Sequence, residues 1–192
     1  MKCVKCKKNA TIHLPNLHTC EKCFQRIIEK RVRKEIRIKS LIKKNDKILL
    51  IDDNSAESKV SFYLLKQIIK GLPVTIKVRK MKYTLGQEVK GFDKVIIPWN
   101  TDKEGDYFLS NVFENKKMNY LGHYRIKKTT YVKLLLHVLR EEAEIFAKIK
   151  NFQHKNFYEK TIASEMLGKL EKEYPEVKFS LLKSTEELKK SI

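Results

Sequence analysis

Four cysteines are the residues of this chain best placed to do chemistry. Cys3 and Cys6 form one C-x-x-C pair, Cys20 and Cys23 another, with thirteen residues between the pairs. Each pair can put two thiolates on one ion, and together they supply the four ligands of a tetrahedral, structural Zn²⁺ site. Such a closed site leaves no position for water, so its expected contribution is folding rather than catalysis. A disulfide pair, an iron–sulfur cluster or inert thiols are the other states open to these residues, and His13 or His18, between the pairs, can replace one sulfur. No signal-peptide core is read at the N-terminus, so the thiols are expected to stay reduced in the cytoplasm. No apolar run approaches the ~20 residues of a membrane span, and no membrane partner is expected.

The knuckle is followed by the pattern of a basic helix over residues 24–42. Phe24, Ile27, Ile28, Val32, Ile36 and Leu41 recur near helical spacing, while Arg26, Lys30, Arg33, Lys34 and Arg37 cover much of the remaining surface. The chain carries a net charge of +19, of which +11 falls in the first 44 residues. That imbalance points to a polyanion, with the helix and knuckle clamping RNA phosphates; the plainer reading is a solvated helix face. Few aromatics interrupt the basic residues, so the contact would carry little sequence specificity.

Beyond residue 44 the pattern alternates strand and helix. Residues 47–52 read as a buried strand, 58–70 as an amphipathic helix, 74–78 and 94–98 as strands, and Asn100 as the start of another helix. This implies an α/β fold, a reduced parallel sheet with helices on its faces. The segment between the second and third strands is barely long enough for a crossover helix. Residues 131–149 read as one long helix with His137 packed on it. Helix 160–174 stops at Pro175, and Ser184 to Glu187 fits a capping box for a last short helix. The expected organisation is a zinc knuckle with its basic helix over 1–44 and an α/β domain with C-terminal helices over 45–192.

The loop after the first strand, Asp53-Asn54-Ser55-Ala56-Glu57-Ser58, stands where an α/β nucleotide site would hold phosphate. It has no glycine, no lysine before Lys59, and two adjacent carboxylates in Asp52 and Asp53. With the knuckle and the basic helix before it, the chain nevertheless resembles the tRNA 2-thiolation branch of the PP-loop (N-type ATP pyrophosphatase, adenine nucleotide alpha hydrolase-like) superfamily. That family carries Ser-Gly-Gly-Lys-Asp-Ser here; aligned on the last serine, only Ser58 matches, and Glu57 replaces the aspartate. A second family signature, Gly-His-Asn-x-Asp-Asp-Glu, aligns with Asn100, Asp102 and Glu104 matching. The segment from Leu170 through Pro175 to Ser184 is similar to a family segment in which a helix ends at a proline and a short strand follows.

The resemblance implies a PP-loop-like fold and tRNA as partner, with Arg125, Lys127 and Lys128 as further tRNA contacts. The family's thiolases carry additional cysteines in the catalytic domain, whereas all four cysteines here belong to the knuckle. The departures therefore imply no catalytic residue, a degenerate nucleotide loop at 53–58, and the role of non-catalytic subunit beside a catalytic PP-loop thiolase, with a homodimer also open. An independent zinc-dependent RNA-binding protein and an active ATP-dependent tRNA sulfurtransferase are the alternatives.

Overall fold

The chain, described by a computed structural model over residues 1–15, 17–156 and 159–191, begins with an antiparallel hairpin. Strands β1 (Ile12–Leu14) and β2 (Leu17–Thr19) lead directly into helix α1 (Glu21–Ile38). Phe24, Ile28 and Val32 form one buried stripe, by which α1 docks on the rest of the chain. The helix stops at Ile38, short of the expected 42, where Ser40 turns the backbone at φ 48°.

There follow β3 (Lys47–Asp52), α2 (Ala56–Ile68), β4 (Thr75–Lys80), β5 (Lys94–Asn100), α3 (Thr101–Phe113), β6 (Tyr124–Ile126), β7 (Thr129–Leu135), α4 (Arg140–Ile149), α5 (Ile162–Glu173) and α6 (Val177–Ser191). Strands β3 to β7 build one sheet in the order β4-β3-β5-β7-β6, parallel throughout except for β6, which returns antiparallel along β7. The expected parallel α/β architecture is what the chain forms.

One face of the sheet, with Ile48, Leu50, Ile96 and Val132, is covered by α1, α2 and α4 through Ile28, Val60, Leu64 and Phe146. The other face differs from expectation. Its core of Leu49, Ile51, Val95, Ile97, Tyr124 and Tyr131 is completed by Met81, Tyr83, Leu85 and Phe92, from the segment joining β4 to β5. That segment is irregular rather than helical and lays aromatic side chains across the strands. Gly86 permits its close approach: at φ +84°, a side chain there would meet the Tyr120 ring.

Two elements correct the sequence reading. Residues 131–149 are a strand, a turn and a helix, not one helix. Every residue from Tyr131 to Leu136 is buried, because a central strand of a parallel sheet is covered on both faces and shows no alternation. The apolar spacing at Val132, Leu135, Leu136 and Leu139 imitated a helical period. His137 accordingly lies in the turn between β7 and α4. At the C-terminus, Val177–Ser191 is one helix, not a short strand followed by a capped helix. Ser184 lies within it, donating to the Ser180 carbonyl 3.2 Å away, and Leu182 and Thr185 are buried on its inner face.

Candidate functional site

The sulfur atoms of Cys3, Cys6, Cys20 and Cys23 all lie within 4.8 Å of one another. Cys6 Sγ and Cys20 Sγ are 3.6 Å apart, far from a disulfide and close to the ~3.8 Å separation in a tetrahedral site with Zn–S bonds of ~2.3 Å. Local turns set this up: Cys3 N–H donates to Lys8 O, and Lys7 takes φ 63° to bring its N–H back to Cys3 O. Burial raises the Cys3 thiol pKa, but backbone N–H groups of Cys20, Lys5 and Cys6 overcome it and bring the value to about 6. Crowding by the Cys6 sulfur, with burial, pushes Cys23 up to about 12. Four thiols in this space cannot all ionise without a cation among them, so the donor set fits a metal ion. His13 and His18 take no part. They face each other across the hairpin, Nδ1 to Nδ1 3.3 Å, and are not among the clustered donors.

The second constellation is at the carboxyl ends of β3 and β5. Strand β4 pairs on one side of β3 and β5 on the other, so the chain changes direction here, the usual ligand crevice of an open α/β sheet. Pro98 removes one ladder donor, pairing of β5 with β3 ends at Ile96, and the register with β7 slips between Ile97 and Asn100. The strand ends diverge into a cleft of about 700 Å³ whose walls include Asp53, Trp99, Asn100, Lys103 and Lys178.

At the amino end of α2, where the fold would receive an anion, the chain has supplied its own. Asp53 Oδ1 accepts from Ser55 N and Oγ at 3.0 and 2.5 Å, and Ser55 Oγ caps the helix by accepting from Ser58 N. Asp52 takes Lys59 Nζ at 2.7 Å, the Asn54 N–H at 2.9 Å and Ser58 Oγ at 2.9 Å. Partial burial works to raise the Asp52 pKa; the Lys59, Asn54 and Ser58 bonds outweigh it, and the carboxyl lies below its ordinary value. Buried Glu57 accepts from Asn100 Nδ2 at 2.7 Å and lies 3.4 Å from Lys103 Nζ. Asn54 turns the loop at φ 66°, the backbone conformation that glycine would supply.

Asn100, Asp102 and Glu104 are likewise committed internally. Asn100 Oδ1 caps α3 on Lys103 N. Asp102 accepts from Arg140 N and pairs with Lys178, both at 2.7 Å. Glu104, fully buried, binds Lys133 Nζ at 2.5 Å, Trp99 Nε1 at 2.7 Å and Gly122 N at 2.5 Å. Across the whole cleft wall, five carboxylates oppose four cations, a balance that disfavours a polyphosphate.

Lys133 and Lys178 were missed from sequence. Lysine within the apolar run 131–136 was the available signal, since an ammonium inside a buried strand demands a partner. The basic residues fall into two sets. Arg26, Lys30, Arg33, Lys34 and Arg37 are exposed on α1, where Arg33 also pairs with Glu29 at 2.7 Å. Arg125, Lys127 and Lys128 are exposed on the β6–β7 hairpin, with Lys127 2.7 Å from Glu88.

No protein-family profile matches the chain. Over 70 residues it is 33% identical to a tRNA-5-methyluridine(54) 2-sulfurtransferase of Pyrococcus horikoshii, a match spanning 35% of this chain and 23% of that protein. In three dimensions it superposes on the U34-tRNA thiolase NcsA of Methanococcus maripaludis, solved with its [4Fe-4S] cluster. The TM-score is 0.80 with 19% identity, covering 100% of this chain and 88% of the other. The chain thus has the thiolase fold. Among the described residues, no helix is long and apolar enough to cross a membrane.

Proposed function

We propose that this chain is a non-catalytic, cytoplasmic subunit of a tRNA wobble-uridine 2-thiolation complex, binding tRNA beside a catalytic PP-loop thiolase. The observation that carries this reading is the filled amino end of α2, where Asp52 and Asp53 occupy the hydrogen bonds and charge that a nucleotide phosphate would take. A polyphosphate entering here would meet fixed carboxylates, and adenylation would lack the preorganised cation it needs. Both sulfurtransferase likenesses support tRNA thiolation as the setting. Every cysteine of the sequence belongs to the N-terminal group, leaving the α/β domain without a sulfur carrier or cluster ligand.

The metal in the N-terminal group is a structural Zn²⁺. Four sulfurs within 4.8 Å suit one ion, whereas a cubane cluster would hold its cysteine sulfurs farther apart around eight atoms. Residues 1–44 then act as a metal-braced basic arm for tRNA phosphates, and 45–192 as the platform for the partner. Deletion of the gene tests the reading directly. Wobble 2-thiouridine should disappear from cellular tRNA, and capture of the tagged protein should bring down a thiolase with an intact Ser-Gly-Gly-Lys-Asp-Ser loop. Unchanged 2-thiouridine would refute it and leave the knuckle and basic helix as an independent RNA-binding unit.

A further inference from the structure

Away from the sulfurs and the cleft, three segments distant in sequence bring metal-ligating side chains to one point. Glu35 on α1, His137 in the turn after β7 and Glu186 on α6 offer donor atoms all within 4.8 Å of one another. We propose that Glu35, His137 and Glu186 form a second metal site, for a divalent first-row transition ion such as Zn²⁺, Mn²⁺ or Co²⁺. This inference stands apart from the thiolation reading.

The geometry suits such an ion. His137 Nε2 is 3.2 Å from Glu35 Oε2. An ion bonded at ~2.1 Å to both would subtend an angle of about 100°, between the octahedral and tetrahedral values. Glu186 Oε1, 4.0 Å from His137 Nε2, closes the triad by moving about 1 Å toward the other two donors, within reach of a half-buried side chain on α6.

The surroundings are arranged as metal surroundings are. His123 holds Glu35 from behind: the Lys133 backbone N–H donates to His123 Nδ1 at 3.1 Å, so Nε2 carries the proton and donates to Glu35 Oε1 at 3.0 Å. Oε1 is thereby fixed and Oε2 aimed at His137, the outer-shell orientation that ligating carboxylates commonly receive. One imidazole with two carboxylates suits borderline divalent ions. All three ligands line a cleft of about 620 Å³, which leaves a coordination position open to water. The competitor is Lys39, whose Nζ lies 3.4 Å from Glu186 Oε1 and supplies a positive charge where the ion would.

Cobalt titration of the full chain, its cysteines already loaded with Zn²⁺, tests the proposal. A second equivalent should bind with d–d absorption and no thiolate-to-cobalt charge transfer. It should persist in His13→Ala, which excludes the hairpin imidazoles. His137→Ala and the near-isosteric Glu186→Gln should each abolish it while leaving the sulfur-bound equivalent intact. His123→Phe should weaken it about 10–100-fold. Lys39→Met should tighten it about tenfold by removing a competing charge, a gain that only a folded protein can show. Uptake limited to the sulfur-bound equivalent, or a second equivalent that survives both ligand substitutions, would overturn the site.

Discussion

The Lys133 ammonium lies 2.5 Å from the Glu104 carboxylate, and neither side chain is exposed to solvent. Lys133 also donates to Tyr120 O at 2.6 Å and sits 4.5 Å over the Trp99 ring. Glu104 meanwhile holds Trp99 Nε1 and Gly122 N, so the pair ties β7, α3 and the loop before β6 into one network. Removing one partner leaves a charge buried without its counterpart.

Lys133→Met and Glu104→Leu should therefore each cost about 3–5 kcal/mol in urea unfolding. The double substitution should recover part of that loss, though not all of it, because Trp99 Nε1 and Gly122 N remain orphaned. Additive losses would mean that the two charges are not coupled.

The same lysine fixes the alkaline behaviour. Burial lowers its pKa from 10.5 to about 8, against the pull of Glu104. Between those values the unfolded chain binds more protons than the native one, so stability rises with pH. Lys189, lowered by burial, adds in the same direction. Tyrosines oppose it at higher pH: burial pushes Tyr83 up from 10.0 to about 12 and raises Tyr107 and Tyr124. Above pH 10 the native state binds more protons and stability falls. Urea midpoints of the zinc-loaded protein should rise from about pH 8 to pH 10 and then drop. Lys133→Met/Glu104→Gln should lose most of the rise and keep the drop.

Cys20→Ser with Cys23→Ser should abolish binding at the sulfur site, read as metal content by mass spectrometry. Cys23 is the third residue of α1, so loss of the ion also frees the start of that helix. Soluble folded protein should fall sharply, and a stable metal-free variant would show that the hairpin and α1 hold together by packing alone.

Magnesium–ATP should leave the melting temperature unchanged. A site binding nucleotide at a hundred times its dissociation constant would add about 2.7 kcal/mol, an increment readily seen by thermal melting. Such a shift would mean that Asp52 and Asp53 yield to phosphate.

Replacing Arg26, Lys30, Arg33, Lys34 and Arg37 with glutamine should weaken tRNA binding and flatten its salt dependence. In a plot of log affinity against log salt, the slope should fall by about 0.9 for each duplex phosphate that is no longer neutralised. An unchanged slope would return α1 to the status of a solvated face.

Local chemistry was legible in the sequence wherever it was self-contained. The two C-x-x-C pairs announced the sulfur site because their ligands are neighbours in sequence, and residues 47–52 matched β3 because an apolar run before turn residues has few other readings. Asn100 was placed at the start of α3, which it caps. Failures came where tertiary burial overrode local pattern. The run around Lys133 lost its alternation because both faces of β7 are covered, and its apolar spacing then passed for a helix. The family likeness implied a short strand after Pro175, but Leu182 and Thr185, one turn apart, face inward from a helix. The cluster of Glu35, His137 and Glu186 left no sequence signature, because its members meet only through the fold.

The docking of α1 also sets an order of events during synthesis. Its Arg31 Nη1, which donates to both oxygens of Glu142, reaches across 111 positions, and Glu35 to His123 spans 88. Both partners leave the ribosome long after α1, whereas all four cysteines have emerged as soon as residue 23 leaves the exit tunnel. An arm that has taken up its ion can therefore close first and wait, its Phe24, Ile28 and Val32 stripe not fully covered until β7 follows α2 out. Contacts of such separation slow folding, and a nascent chain starved of metal would carry an unfastened apolar helix through that interval.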